Sequence, residues 1–218
     1  MEAAEAHSSK EEGERRCDEC SLCCTVLRVD PLRKLGGVTC VHQKVGSKAS
    51  CEIHERPERP ALCGAYRCSW LLGRFTPDDR PDRLGAVLDF GSHGGVPVLT
   101  IRESAVGVFD ASPRLREIAE EVRESMPVRI TSADDVMNAD REYRILEAGG
   151  EELRVSGDRV ERWFEGERQG TERIPPFERW LRRFTLTWKR WRLRGYRGEG
   201  DGSREPGEES VQSRVGGN

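Results

Sequence analysis

The sequence has little that would carry it into or across a membrane. No run approaches the roughly 18 apolar residues of a spanning helix, and the opening stretch MEAAEAHSSKEEGERR lacks the basic start and apolar middle of a secretory signal. A cytoplasmic protein without a membrane span is therefore expected. An excess of one charge is also missing: 36 basic against 39 acidic residues leave a formal net charge of -3. That balance excludes a whole-molecule attraction to nucleic acid or anionic lipid and confines any such attraction to a local patch. No dinucleotide-binding glycine fingerprint occurs, and the stretch from Gly91 to Gly95 has no Lys-Ser/Thr pair after it, so it reads as a hairpin turn rather than a phosphate loop. No nucleophile and base, and no carboxylate pair, stands out among the scattered acids, so enzymatic activity is neither indicated nor excluded. Cysteine is absent from residues 69–218.

Before that point cysteine is dense: Cys17, Cys20, Cys23, Cys24, Cys40, Cys51, Cys63 and Cys68. Disulfides do not persist in a reducing cytoplasm, so a close thiol array there reads as metal-binding or redox-active. Two residues between thiols let a short turn aim both sulfurs at one ion about 2.3 Å away, as in zinc and iron–sulfur sites. The adjacent pair Cys23 and Cys24 points apart in most backbone conformations, so the two thiols serve two metals or one stands aside. Eight thiols divide into two sets of four, which suits two zinc ions or two iron–sulfur clusters equally. Soft thiolates set magnesium and calcium aside. His42 and His54 are further candidate ligands, His54 lying three residues after Cys51. Thiols spaced two and two, rather than three and two, argue against radical chemistry with S-adenosylmethionine.

The rest of the chain divides by composition. Residues 1–16 and 198–218 are polar and aperiodic and are expected to be disordered. Between them we expect a cysteine-rich metal-bound module at 17–84, a small mixed α+β segment at 85–174 and a basic amphipathic helix at 175–197. Ala86 to Phe90 and Val96 to Ile101 read as strands around a glycine-rich turn, with Ala105 to Phe109 as a third. Ser112 before Pro113 is a helix start, with Leu115, Ile118, Ala119 and Val122 at helical spacing and Pro127 beyond the end. Val128 to Thr131, Tyr143 to Glu147, Glu152 to Ser156 and Val160 to Glu165 read as further strands, the middle pair joined through Gly149 and Gly150.

After Pro175 and Pro176, the residues Phe177, Trp180, Leu181, Phe184, Trp188 and Trp191 recur at helical spacing. Arg179, Arg182, Arg183, Lys189, Arg190, Arg192, Arg194 and Arg197 accompany them against one acid, Glu178. The spacing predicts an aromatic face packed on the α+β core with the arginines outside. The alternative is a surface for nucleic acid, an acidic protein or anionic lipid.

In its Cys17-to-Cys24 run, in Cys40, in Cys51 with His54, in Arg59-Pro60 before Cys63, and in Tyr66, Cys68 and Trp70, the chain resembles the YkgJ-type CxxCxxCC family, over about residues 17 to 90. The family usually has Tyr where His54 stands, and Gly64 replaces a common Arg. The resemblance implies zinc or iron, with an iron–sulfur cluster among the options, held by all eight cysteines. It implies no particular reaction. An iron–sulfur redox enzyme and a zinc-stabilised module for nucleic acid or protein are the rival expectations.

Overall fold

The computed structural model describes residues 15–17, 20–44, 51–133 and 142–196. The tails expected at 1–16 and 198–218 lie outside them, Arg15 and Arg16 excepted. In chain order the elements are α1 (Leu22–Val26), α2 (Ala61–Ala65), α3 (Pro81–Leu84), β1 (Ala86–His93), β2 (Val96–Glu103), α4 (Val108–Ala111), α5 (Pro113–Arg123), β3 (Val128–Ser132), β4 (Glu142–Leu146), β5 (Glu151–Ser156), β6 (Arg159–Phe164), β7 (Glu167–Arg173) and α6 (Pro176–Arg192). The fold is α+β. One seven-stranded sheet runs β1 to β7 in sequence order. Every neighbouring pair is antiparallel except β2 and β3, which are parallel. A parallel pair needs a crossover, and α4 with α5 supplies it.

The β1–β2 hairpin turns on Gly94 and Gly95, at φ +61° and +85°. Two successive left-handed residues are what a tight two-residue hairpin requires, and glycine adopts them without steric cost. The strands extend past the expected Phe90, through Gly91 to His93. In α5 the Ser112 hydroxyl accepts from the Leu115 amide and Pro113 opens the first turn, as expected. Leu115, Ile118 and Ala119 then bury against Leu88, Leu99, Ile101, Val128, Ile130 and Leu146. This is the main apolar core.

The third strand expected at Ala105 to Phe109 does not form; turn and the short helix α4 stand there instead. Gly107, at φ +89°, breaks the extended path. The buried Glu103 carboxylate then accepts from the Phe109 amide at 2.6 Å, satisfying a donor at the helix start that a strand would have left without a partner. β7 has no counterpart among the expected strands. Its side chains are all exposed, and it is held by its main-chain ladder to β6.

β1 decides where the cysteine-rich part sits. Its side chains alternate faces: Ala86 and Leu88 enter the main core, whereas Val87 joins a second cluster with Val26 of α1 and Ala133, against which Leu22, Leu27, Tyr66 and Cys68 pack. The outer edge of β1 is also engaged, since the Ser69 amide donates to the Leu88 carbonyl at 3.1 Å. One strand therefore carries the main core on one face and the cysteine-rich part on the other.

A second tie is ionic. The Asp79 carboxylate, its side chain 3% exposed, is gripped by Arg114 of α5 through Nε at 2.7 Å and Nη2 at 2.9 Å. It also accepts from the Thr76 amide and hydroxyl. The Arg114 guanidinium, aided by Thr76, holds its carboxyl down from the usual 3.8 to about 2. A lowered carboxyl pKa contributes stability that is complete above the unfolded value and is lost as pH falls through the folded one. Between about pH 4 and pH 2 the native protein is therefore expected to lose about 2 kcal/mol at this site. Asp79→Asn should remove most of that at neutral pH and flatten the acid limb, which urea unfolding across the range would measure. An unchanged acid limb in the variant would show that the pair does not act this way.

α6 departs from expectation in its orientation. Phe177 is 72% exposed, Trp180 61%, Phe184 60% and Trp191 64%, while Leu186 and Leu193 are 7% and 4% exposed. At about 100° per residue Leu186, and Leu193 at the cap just past the helix, lie roughly half a turn from the centre of the aromatic stripe. The helix is seated through its leucine side, with Arg179 reaching Asp158 at 3.4 Å, and the aromatic face is turned to solvent. The expected packing of that face on the α+β core is overturned, because two leucines seven residues apart provide the seat.

Candidate functional site

α1 is short because its role is placement: Val26, 1% exposed, anchors it against Val87, and this sets Cys23 and Cys24 side by side at the start of the cysteine-rich part. Gln43 fastens the next segment to it, donating to the Ser21 hydroxyl at 2.7 Å and accepting from the Thr25 hydroxyl at 3.2 Å. Gln43 also bridges to Cys51, and the Glu52 amide donates to the His42 carbonyl at 2.8 Å. The stretches carrying Cys40 and Cys51 are thereby held beside α1. Cys63 lies in α2 and Cys68 follows it, turned toward β1.

The eight thiols fall into two groups that meet at Cys23 and Cys24. Cys17 donates to the Cys20 carbonyl at 3.4 Å, its thiol hydrogen-bonds with that of Cys23, and its charge is felt at Cys20 and Cys68. Cys24, Cys40, Cys51 and Cys63 influence one another in the same way. None of the eight, all among the described residues, is in a disulfide. As they stand, no three His, Cys, Asp or Glu side chains among the described residues are gathered closely enough to hold an ion. His54 is exposed and is engaged through its backbone, its amide donating to Cys51 and its carbonyl accepting from Arg59.

Two cations stand over the second group. Lys34, 2% exposed, donates from Nζ to the carbonyls of Thr25 at 3.0 Å, Leu27 at 2.6 Å and Leu35 at 3.0 Å. Burial lowers its pKa, and the neighbouring Cys40, Cys24, Cys23 and Cys63 oppose that. Arg59 donates to the Cys63 carbonyl at 2.7 Å and leaves a buried Nε without a hydrogen-bond partner. Its charge favours thiolate at Cys24, Cys51 and Cys63. A buried lysine and a half-buried arginine with no carboxylate partner among the described residues, the arginine with an unused buried donor, suit an anionic sulfur centre; buried charge is costly unless paired.

Protonation follows from the same environment. Hydrogen bonds with Cys17 and Cys24, together with burial, raise Cys23, while the bond from Cys23 lowers Cys24, beside Lys34 and Arg59. Burial pushes Cys20 up to about 11 and also raises Cys51, Cys63 and Cys68. At the first group the Tyr66 hydroxyl lies 2.8 Å from both Asp89 oxygens. Burial and that carboxylate hold Tyr66 protonated, so it donates.

Sequence reasoning singled out all eight thiols and left open whether Cys23 and Cys24 serve two metals or one stands aside. It missed Lys34, Gln43 and Asp89, which carry no spacing signal, and noted Arg59 and Tyr66 as part of the resemblance without a role. The class defined by fold and site is an α+β protein with a cysteine-rich lobe on the outer face of β1. Compared with protein-family models, with curated proteins and with solved structures, the chain matches none.

Proposed function

We propose that the chain is a metal-binding protein of the YkgJ-type CxxCxxCC pattern. In this reading Cys17, Cys20, Cys23 and Cys68 hold one soft metal centre and Cys24, Cys40, Cys51 and Cys63 a second. The observation that supports it is the placement of Cys24, Cys40, Cys51 and Cys63 beside the cations Lys34 and Arg59. A tetrathiolate around a divalent ion bears a charge of about -2, which these two cations balance. The donor set suits zinc or an iron–sulfur centre and not magnesium or calcium. Zinc would supply cross-linking, and an iron–sulfur centre electron transfer as well. Loading draws each thiol group inward and displaces the protons that burial keeps on them. Tyr66 and Asp89 orient Cys68 at the first group, and Lys34 holds the α1 carbonyls in place at the second.

The test is anaerobic purification followed by elemental analysis and a visible spectrum. We expect bound transition metal at two centres per chain, with the double variant Cys24→Ser/Cys63→Ser losing one. Colourless protein with zinc excludes the redox reading; broad visible absorption that bleaches on reduction, with inorganic sulfide, supports it. Folded protein containing neither metal nor sulfide would overturn the proposal.

A further inference from the structure

The exposed face of α6 is the largest feature that the cysteine chemistry leaves unused. Phe177, Trp180, Leu181, Phe184, Trp188 and Trp191 form a continuous apolar stripe along a helix about 25 Å long. It is not a core face left without a partner, because the helix is already buried through Leu186 on the opposite side and Leu193 at its C-terminal cap. Arg183 borders the stripe on one flank and Arg192 on the other, both exposed, and Arg192 lies over the Trp188 ring at 5.3 Å. Between Pro176 and Arg192 the sequence carries six basic residues and one acidic residue, Glu178.

We infer that α6 is a membrane-surface helix that lies in the interface of an anionic bilayer, its tryptophan face among the acyl chains and its arginines on the lipid phosphates. Tryptophan prefers the boundary between headgroup and hydrocarbon, and long basic side chains flanking an apolar stripe reach back to the charged surface. A helix with aromatic residues on one face and basic residues beside them binds there without spanning. Among the described residues no helix is long and apolar enough to cross a membrane. Other occupants suit the face less well. A second copy would set one strongly basic helix against another. Nucleic acid would need open ring faces for its bases, yet Phe177, Trp180 and Phe184 stack on one another at centroid distances of 6.2 and 5.9 Å.

The experiment is flotation of the full metal-loaded chain with vesicles of phosphatidylcholine alone or mixed with phosphatidylserine, with tryptophan emission recorded in parallel. The expected result is binding to the anionic vesicles that weakens with added salt, a blue shift, and quenching by lipids brominated in the acyl chain. Trp180→Ala/Trp188→Ala/Trp191→Ala should abolish binding while leaving far-ultraviolet circular dichroism unchanged, since all three side chains are exposed. Arg183→Glu/Arg192→Glu should weaken it by at least about 25-fold, from roughly fivefold per basic residue. Three results would each overturn the inference: no binding of the wild-type chain to anionic vesicles, equal binding to neutral ones, or binding that survives the tryptophan variant. Tight capture of an oligonucleotide without vesicle binding would assign the face to nucleic acid, and self-association lost in the tryptophan variant without vesicle binding would assign it to a second copy.

Discussion

Chelating the proposed metals from anaerobically prepared protein will strip hydrogen-exchange protection from residues 20–44 and 51–73 while α5, β2 and β3 keep theirs. The imbalance follows from what each part buries. The cysteine-rich part has Val26, Val29, Leu35, Ile53 and Trp70 among its few buried apolar side chains, and its helices α1 and α2 are five residues each. Such helices do not persist without tertiary support. A structural zinc contributes on the order of 10 to 16 kcal/mol in small modules, against about 5 to 15 kcal/mol for the net stability of a whole domain. Removing it should therefore take away most of what orders this part. The face of β1 that carries Ala86 and Leu88 keeps its packing against α5 and should stay closed. Full protection of residues 20–44 in metal-free protein would defeat the expectation.

Leu115→Ala is expected to cost about 3 kcal/mol, within the 2 to 5 kcal/mol range of leucine truncation in packed cores. Leu115 has 0% exposure and lies where α5 meets the sheet. The nearest control is Leu181→Ala on α6: the same chemical change at a side chain 46% exposed, expected to shift stability by no more than about 0.5 kcal/mol. Urea unfolding of the two variants, both metal-loaded, compares an apolar helix face that is packed with one that is not. Equal losses would mean that the face of α6 is buried after all.

Most of the sheet was legible because its strands obey two simple rules. β1 to β6 alternate apolar residues or end at glycine-rich turns, and α5 has both a hydroxyl cap and a proline where a helix begins. β7 obeys neither rule. Glu167–Arg173 contains no apolar residue, so only pairing with β6 makes it a strand, and pairing is not written in local composition. α4 was misread because Val108 and Phe109 suit a strand until Glu103 is seen to cap the turn. α6 shows the limit of periodicity: the stripe was correctly read as helical, but period alone does not say which way a helix faces, and Leu186 and Leu193 are buried while five aromatic residues and Leu181 are not. At the cysteines, spacing singled out the thiols that the proposed function takes as ligands, because residues that share an ion must come close together. Lys34 answers to charge in three dimensions, and nothing around it in sequence marks it; Arg59 was visible only as part of a resemblance, without its role as a cation beside the thiols.

The two borders of the sheet are protected by different means. β7 is guarded by its own charges, which discourage another strand from adding to it. β1 is guarded by chain from the cysteine-rich part, through the Ser69 amide on the Leu88 carbonyl. Only the first guard is permanent. If the lobe loosens, a strand border beginning with the apolar run Ala86, Val87, Leu88 becomes a template for strands from other molecules, so turbidity, rather than a soluble unfolded lobe, would be the outward sign of losing the metal at high protein concentration.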